Sequence, residues 1–196
     1  MNLKTIEVGS FKVVSGKVRI TDPCYSLDTW CAGTVDKVAH GTWNVIARMG
    51  SEKGWGERVW ELEAVFVDSG LADHPWKDLP FEVGVDSGQA GIFDLKYYRD
   101  DSVVPENAEL PYWMDEERMK ERGSGEKWYG MCCEVSYKEE DGKRGQLCAG
   151  IVPYGVNSSS GYGDGGYRAY VKRNDAGYAV ELKIVFISDE DFEDAA

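Results

Sequence analysis

The sequence is short of histidine, of basic residues and of long apolar segments, and each shortage disfavours a class of protein. Only His40 and His74 stand in 196 residues, so a catalytic triad has few candidate bases. The 22 basic residues are outnumbered by 35 acidic ones, and the formal net charge of −13 repels phosphate backbones and anionic membranes. We therefore expect no nucleic-acid and no membrane partner.

Apolar runs long enough to span a bilayer are missing. Lys4, Glu7 and Ser10 interrupt the N-terminal stretch MNLKTIEVGSFKVVSG, which is typical of neither a signal peptide nor a membrane span. We expect a cytoplasmic protein, whose five cysteines are then free thiols. No CxxC pair occurs, and the adjacent Cys132 and Cys133 would point to opposite faces of a strand, so a structural zinc has little support.

Core-forming residues, in contrast, are plentiful. The composition is 42% hydrophobic and 12% aromatic, which argues against a disordered acidic chain. The length suits one globular unit. We predict a single β-rich domain over residues 1–187 and an acidic C-terminal tail over residues 188–196.

Alternation of apolar and polar residues is the main structural signal. It is clearest in residues 59–67 and 178–187, where every second side chain is apolar, as in half-buried strands. Shorter alternating segments cover residues 11–14, 17–20, 42–48 and 129–137, and Asp141-Gly142 predicts a hairpin turn. Helical character is confined to residues 114–122. These patterns predict a mainly β fold, an antiparallel β-sandwich or curled barrel, with a small helical insertion near residues 100–125.

Three stretches break the alternation with carboxylates and small residues. The first is TDPCY, residues 21–25, in which Asp22 precedes a proline and follows a predicted strand. Taken alone it is typical of an ordinary Asp-Pro turn. The second is GVDSGQAGIFD, residues 84–94, whose glycines permit converging backbone amides. Such a loop binds an anion through its amides or a cation through Asp86 and Asp94, unless it is a tight turn bonded to its own backbone.

The third stretch, NSSSGYGDGGY at residues 157–167, is the most unusual of the chain. It holds four glycines and three serines, which is typical of a flexible loop. Tyr162 and Tyr167 flank Asp164, however, and flexible linkers rarely carry aromatic residues so densely. The stretch matches neither the EF-hand calcium loop nor a P-loop. We interpret it as part of a binding site.

The ordered set of DPCY, VDSGQAG and SGYGDG segments, with the Cys132-Cys133 pair between the last two, resembles an uncharacterised bacterial and phage domain family. The resemblance spans nearly the whole chain and implies no established activity. It implies a set of signature positions: Asp22, Asp86, Ser87, Gln89, Gly161, Tyr162, Asp164 and Gly165. Families of this kind serve in host–phage conflict, which the resemblance extends to this chain as an expectation.

Three functions remain open at this point. The preferred hypothesis is a domain that binds a small polar ligand, or a divalent cation at Asp86 and Asp164, between three loops. Its candidate ligand-binding residues are Asp22, Asp86, Ser87, Gln89, Tyr162 and Asp164. One alternative is a hydrolase in which Asp22, Asp86 and Asp164 hold a metal that activates water. The other is an acidic domain that binds a basic protein partner. Whether the chain is an enzyme is left open, and a nucleophilic Ser87 or Cys24 ranks last for want of a neighbouring base.

Overall fold

A computed structural model describes residues 3–52, 54–69, 74–114, 117, 123–137 and 148–188. Within these ranges the chain forms eleven strands, one α-helix and two short 3-10 helices, so the prediction of a mainly β fold is confirmed. No helix in the same ranges has the length and apolar character needed to cross a bilayer.

The strands follow one another along the whole chain, with the helical elements grouped in one interval. The elements are β1 (Lys4–Val13), β2 (Lys17–Thr21), β3 (Gly33–Asp36), β4 (Gly41–Glu52), β5 (Gly56–Phe66), β6 (Lys77–Val85), β7 (Gln89–Asp94), 3-10 helices at Leu95–Tyr97 and Asp101–Val103, α1 (Glu126–Ser136), β8 (Ala149–Val152), β9 (Gly155–Ser159), β10 (Gly165–Arg173) and β11 (Ala179–Val185). The two clearest alternating segments of the sequence are β5 and β11, as predicted.

The strands form two antiparallel sheets. The larger has six strands in the order β1-β4-β5-β11-β10-β6, and the smaller has five in the order β3-β2-β7-β9-β8. Neither closes on itself, so of the two predicted architectures the structure is the sandwich and not the barrel.

Two apolar clusters bury the smaller sheet on both of its faces. One face packs against the larger sheet, where Ile20 and Ile92 meet a layer that includes Trp43, Leu62 and Ile184. The opposite face packs against α1 in a second cluster that comprises Phe93, Tyr98, Val104, Trp128, Cys132 and Val152. Each fully buried aliphatic side chain contributes about 1.5–3 kcal/mol. All residues of β7 and β9 are buried in consequence.

Helix α1 contradicts the prediction of a strand over residues 129–137. Apolar residues at every second position suggested the strand, but the helix buries Trp128 and Cys132, which are four residues apart and share one helical face. Asp101 fixes the start of the helix, because its carboxylate accepts the N–H groups of Gly125 at 2.7 Å and Trp128 at 2.8 Å. Cys132 and Cys133 therefore do not lie on opposite faces of a strand, and both are buried in the helix.

Several predicted features fall outside the described residues. They are most of the helix over residues 114–122, the Asp141-Gly142 turn and the acidic tail from residue 189. Within the predicted helical insertion near residues 100–125, the structure shows a 3-10 helix at Asp101–Val103, and α1 follows at Glu126.

The two loops that position the site each connect one sheet to the other. β6 belongs to the larger sheet and β7 to the smaller, so the second loop, which we define as Asp86–Gly88, is an inter-sheet connection. The third loop, Ser160–Asp164, leads back from β9 to β10. The alternative for the second stretch was a tight turn bonded to its own backbone, and the structure shows a connection of three residues between the two sheets.

Candidate functional site

Hydrogen bonds join the three loops that the sequence singled out. The first loop, Asp22–Tyr25, contacts the second through Asp22, which accepts N–H groups from Asp86 at 2.9 Å and Ser87 at 2.8 Å. The second contacts the third twice. Gly88 N–H donates to Asp164 Oδ1 at 3.0 Å, and the N–H of Ser160 donates to the carbonyl of Gly88 at 2.9 Å. The three loops therefore lie at the same end of the sandwich.

Asp22 acts as the anchor of this junction. Its side chain is fully buried. Besides the two N–H groups on Oδ2, its Oδ1 accepts the Ser87 hydroxyl at 2.7 Å and the Cys24 N–H at 2.8 Å. Hydrogen bonds to both oxygens compensate the burial of a carboxylate. These donors occupy the Asp22 oxygens, so the structure gives this predicted ligand-binding residue an internal role.

The thiol of Cys24 is not arranged as a nucleophile. Burial, and then the negative charge of Asp22, raise the pKa of Cys24 above its ordinary range, so the group stays a neutral thiol at physiological pH. A reactive cysteine needs the opposite shift, toward the thiolate. Among the histidines, His74 lies 3.6 Å from Asp175 and His40 is exposed beside Gly16.

Gln89 lies inside the protein, between the smaller sheet and α1. It is 2% exposed, and its Oε1 accepts Asn157 Nδ2 at 2.7 Å. The same Nδ2 lies 2.7 Å from Ser136 Oγ, while Gln89 Nε2 donates to Cys133 Sγ at 3.5 Å. This predicted ligand-binding residue thus belongs to a buried polar layer that joins the sheet to the helix.

The third loop is held in shape by its own backbone and by Tyr167. The Tyr167 hydroxyl lies 2.9 Å from the carbonyl of Ser160 and 2.7 Å from that of Gly163. Ser160 closes the turn, because its hydroxyl donates to Gly163 O at 2.8 Å and its carbonyl accepts Gly163 N–H at 2.7 Å. Gly161 and Gly163 have φ of +49° and +106°, values that favour glycine. The flexible-linker interpretation of this stretch is inconsistent with such bonding.

A small pocket opens where the second and third loops meet the β4–β5 hairpin. We call it the loop pocket; its volume is about 80 Å³, and its lining residues are Trp55, Arg58, Gly88, Tyr137, Ser159, Ser160, Gly161, Tyr162 and Gly163. Trp55 stands at the hairpin tip, where the carboxylate of Glu52 accepts its N–H at 2.9 Å. Its ring meets Tyr162 edge-on with centroids 5.9 Å apart. These two aromatic rings form one wall.

Ser159 gives the loop pocket an unsatisfied polar group. The residue is 1% exposed, and its Oγ has no hydrogen-bond partner among the described residues. Asn157 precedes it by two positions on the same face of β9, and there the Oδ1 atom is also buried without a partner in the described part of the chain. A buried hydroxyl without a partner costs about 1–3 kcal/mol. Such atoms are uncommon, and here one of them belongs to a residue that lines a pocket.

Gly88 is required on the opposite side of the loop pocket. Its φ is +68°, in the left-handed region, and a Cβ on it would lie 3.0 Å from the Tyr137 hydroxyl. A side chain at this position would be strained and would push against Tyr137. The close approach of Tyr137 therefore depends on glycine.

The predicted metal ligands do not form a cluster. Within the described ranges there is no group of three or more His, Cys, Asp or Glu residues that could hold a metal ion. Asp86 and Asp164 are both exposed, with Asp86 beside the Tyr25 hydroxyl. A cation at these two residues, and the hydrolase built on them with Asp22, stay predictions without geometric support.

Sequence reasoning found the three stretches, which contribute six of the nine residues that line the pocket, but missed the other three. Tyr162, a predicted ligand-binding residue, lines the loop pocket. Trp55, Arg58 and Tyr137 lie outside the three stretches, and Ser159 lies within the third stretch but was not singled out. The segment SEKGWGER carried a usable signal, since a tryptophan between two glycines at a hairpin tip is hard to bury. No local pattern marks Ser159, because the absence of a hydrogen-bond partner among the described residues is a property of the folded chain.

Comparison with known proteins identifies the family and no activity. Residues 11–184 match the family described as a protein of unknown function (DUF4241), and the chain belongs to that family. No curated protein and no solved structure matches the chain significantly.

Proposed function

We propose that this member of a family of unknown function is a ligand-binding domain that holds a small polar group in the loop pocket. The observation that carries the proposal is the buried Ser159 hydroxyl, which has no hydrogen-bond partner among the described residues. A ligand that supplied the missing partner would recover free energy that the folded protein forgoes. Sites that sacrifice local stability in this way are commonly functional.

The rigidity of the surroundings supports binding. Tyr167 and Ser160 hold the third loop from within, and Asp22 holds the second. A pocket whose walls are ordered before the ligand arrives loses less conformational entropy on binding. Loops fixed on a β-scaffold are also where binding residues usually lie.

The size of the pocket limits what it can accept. Typical sites for drug-sized ligands occupy about 300–1,000 Å³, whereas the loop pocket measures about 80 Å³. It therefore receives one polar group of a ligand, with the remainder lying against Trp55 and Tyr162 outside. A bacterial or phage setting and a role in host–phage conflict are part of this proposal on the motif resemblance alone. A cytoplasmic location is part of it because the sequence has no long apolar run.

Two serines of β9 provide a matched test. Ser159 lines the pocket, whereas the neighbouring Ser158 lies on the other face of the strand and donates its hydroxyl to Ser159 O at 2.8 Å. We expect Ser159→Ala to abolish ligand binding and to leave stability unchanged or raised, because it removes an unsatisfied hydroxyl. Ser158→Ala should retain binding and lose stability.

Binding is measured by NMR, with the amide signals of Gly161 and Gly163 and the indole signal of Trp55 as reporters. The probes are acetate, acetamide, methylammonium and glycine, each titrated into wild type and both serine variants. Shifts in wild type that disappear in Ser159→Ala but persist in Ser158→Ala support the site. If no probe moves these signals, or if Ser159→Ala binds as wild type does, the proposed function is wrong.

A further inference from the structure

The charge of the loop pocket differs from that of the protein as a whole. The chain carries a net charge of −13. Among the nine described lining residues, however, Arg58 alone is charged, and its charge is positive. The other lining residues are aromatic, glycine or serine. The lining therefore carries one positive charge on an acidic protein, and the Asp164 carboxylate lies next to it, on the N–H group of Gly88.

Arg58 lies at the pocket with most of its N–H donors not bonded to the described residues. Its Nη1 donates to the carbonyl of Glu57 at 3.1 Å, which is the one side-chain hydrogen bond that the described residues give it. Its guanidinium carbon lies 5.9 Å from the centre of the Trp55 ring. A guanidinium has five N–H donors in a fixed plane, so one bond leaves most of them for another acceptor. That planar set matches the two oxygens of a carboxylate.

The volume fits the same group. A cavity needs about 10–15 Å³ to hold one water molecule, so about 80 Å³ has room for a group of three heavy atoms. A carboxylate has three heavy atoms. Its second oxygen would accept the Ser159 hydroxyl, and its alkyl part would leave the pocket along the rings of Trp55 and Tyr162.

We propose that the loop pocket binds a carboxylate through Arg58 and Ser159. The inference rests on the proposed function and names the chemical class of the ligand. A short-chain free acid and the carboxy terminus of a peptide present the same group, and both are candidate sources. The net negative charge repels anions at long range, so a bare acid is expected to bind in the millimolar range through these local contacts.

Charge recognition is tested by NMR titration with acetate and with acetamide, its neutral analogue of nearly the same shape. Acetate should bind wild type about tenfold more tightly than acetamide does. Arg58→Gln should remove this preference, and Arg58→Lys should restore part of it because the charge returns without the planar fork. Arg168→Gln is the charge-matched control, since Arg168 is exposed and lines a separate groove with Asp78 and Glu82. It should bind acetate as wild type does.

The source of the carboxylate is distinguished by a triglycine peptide, acetylated at its amino end, with a free or an amidated carboxy terminus. A free-terminus peptide that binds about tenfold more tightly than acetate, with no binding of the amide, identifies a peptide terminus. Equal affinities for the peptide and acetate identify a free acid.

Two results overturn the inference in different ways. If acetamide binds as tightly as acetate, or if Arg58→Gln leaves acetate binding unchanged, the pocket does not select a carboxylate, while the proposed function stands. If none of these probes shifts the Trp55 and Gly161 signals, the proposed function fails together with the inference. Melting curves of the Arg58 variants establish that any loss of binding occurs in folded protein.

Discussion

Replacing Asp22 with asparagine tests whether this carboxylate anchors the loops. The side chain accepts hydrogen bonds from the N–H groups of Cys24, Asp86 and Ser87 and from the Ser87 hydroxyl. Asparagine offers one acceptor oxygen and one NH₂ donor. In either orientation of the amide, the NH₂ faces at least one backbone N–H that also needs an acceptor.

The better orientation places the amide nitrogen at the Oδ1 position. The Ser87 hydroxyl can then rotate to accept, but the Cys24 N–H loses its acceptor, which costs about 1–3 kcal/mol. The two bonds retained on the other oxygen change from charge-assisted to neutral, at about 1 kcal/mol each. Relief from burying a charge offsets part of this sum. We expect Asp22→Asn to lower the free energy of unfolding by about 3 kcal/mol, or the melting temperature by about 6–12 °C.

The assay is urea unfolding at neutral pH, with Ser87→Ala as the matched control. That variant removes one bond to Asp22, between the Ser87 hydroxyl and Oδ1, so about 1.5 kcal/mol is expected. Asp22→Asn should therefore be the more destabilised of the two, and the double variant should lose less than the sum because the sites are coupled. An Asp22→Asn protein within about 1 kcal/mol of wild type would refute the anchoring role.

Three further substitutions or conditions have expected outcomes. Asp101→Ala removes the carboxylate that caps α1 at 2.7 and 2.8 Å, so helical circular dichroism should fall and stability should drop by about 1–2 kcal/mol, checked by urea unfolding. Burial raises the pKa of Cys132 well above its ordinary 9.0, and burial also raises the pKa of Cys133, so the unfolded chain releases these protons first. The stability that depends on these two thiols is therefore complete below about pH 9 and falls as the pH rises further. Urea unfolding midpoints measured across that range should show the fall, and the fall should be shallower in Cys132→Ala. Asp164→Asn keeps a side-chain oxygen that can accept the Gly88 N–H, and the side chain is exposed, so the melting temperature of this variant should lie within about 2 °C of that of wild type. If Asp164→Asn unfolds the protein instead, Asp164 is a structural anchor of the third loop.

The sheets were predictable because their signal is local. In β11 the buried Val180, Leu182 and Ile184 occupy every second position, which the sequence displays directly. The same reasoning failed for α1, where Tyr129, Met131, Cys133 and Val135 also alternate. The helix is stabilised there by two contacts with residues far away in the sequence. The Asp101 carboxylate caps its first turn, and Trp128 packs against Phe93 with ring centroids 4.8 Å apart. Neither contact can be derived from the segment itself.

The meeting of the three loops was a hypothesis of sequence reasoning, and the hydrogen bonds of the structure bring the loops together. The pocket beside them was not predicted, since Trp55 and Arg58 come from a hairpin about thirty residues before the second loop in the sequence. Composition identified the loops because glycine and aspartate are rare in regular strands. The distances that join a hairpin tip, two crossovers and the end of α1 arise only from the sandwich topology.

The polar residues that make these loops conspicuous in the sequence mostly form hydrogen bonds that hold the loops together. Asp22 and Ser87 bond to each other, Gln89 bonds to Asn157, and Asp164 bonds to Gly88. A group whose hydrogen bonds are satisfied within the protein gains little from a ligand, because binding would only exchange one partner for another. Binding energy is instead available at groups that lack hydrogen-bond partners in the described part of the chain, and in the loop pocket these are the hydroxyl of Ser159 and most donors of the Arg58 guanidinium. The loop residues that the sequence singled out thus explain the shape of the site. Substitutions at Ser159 and Arg58 are the sharper test of its function.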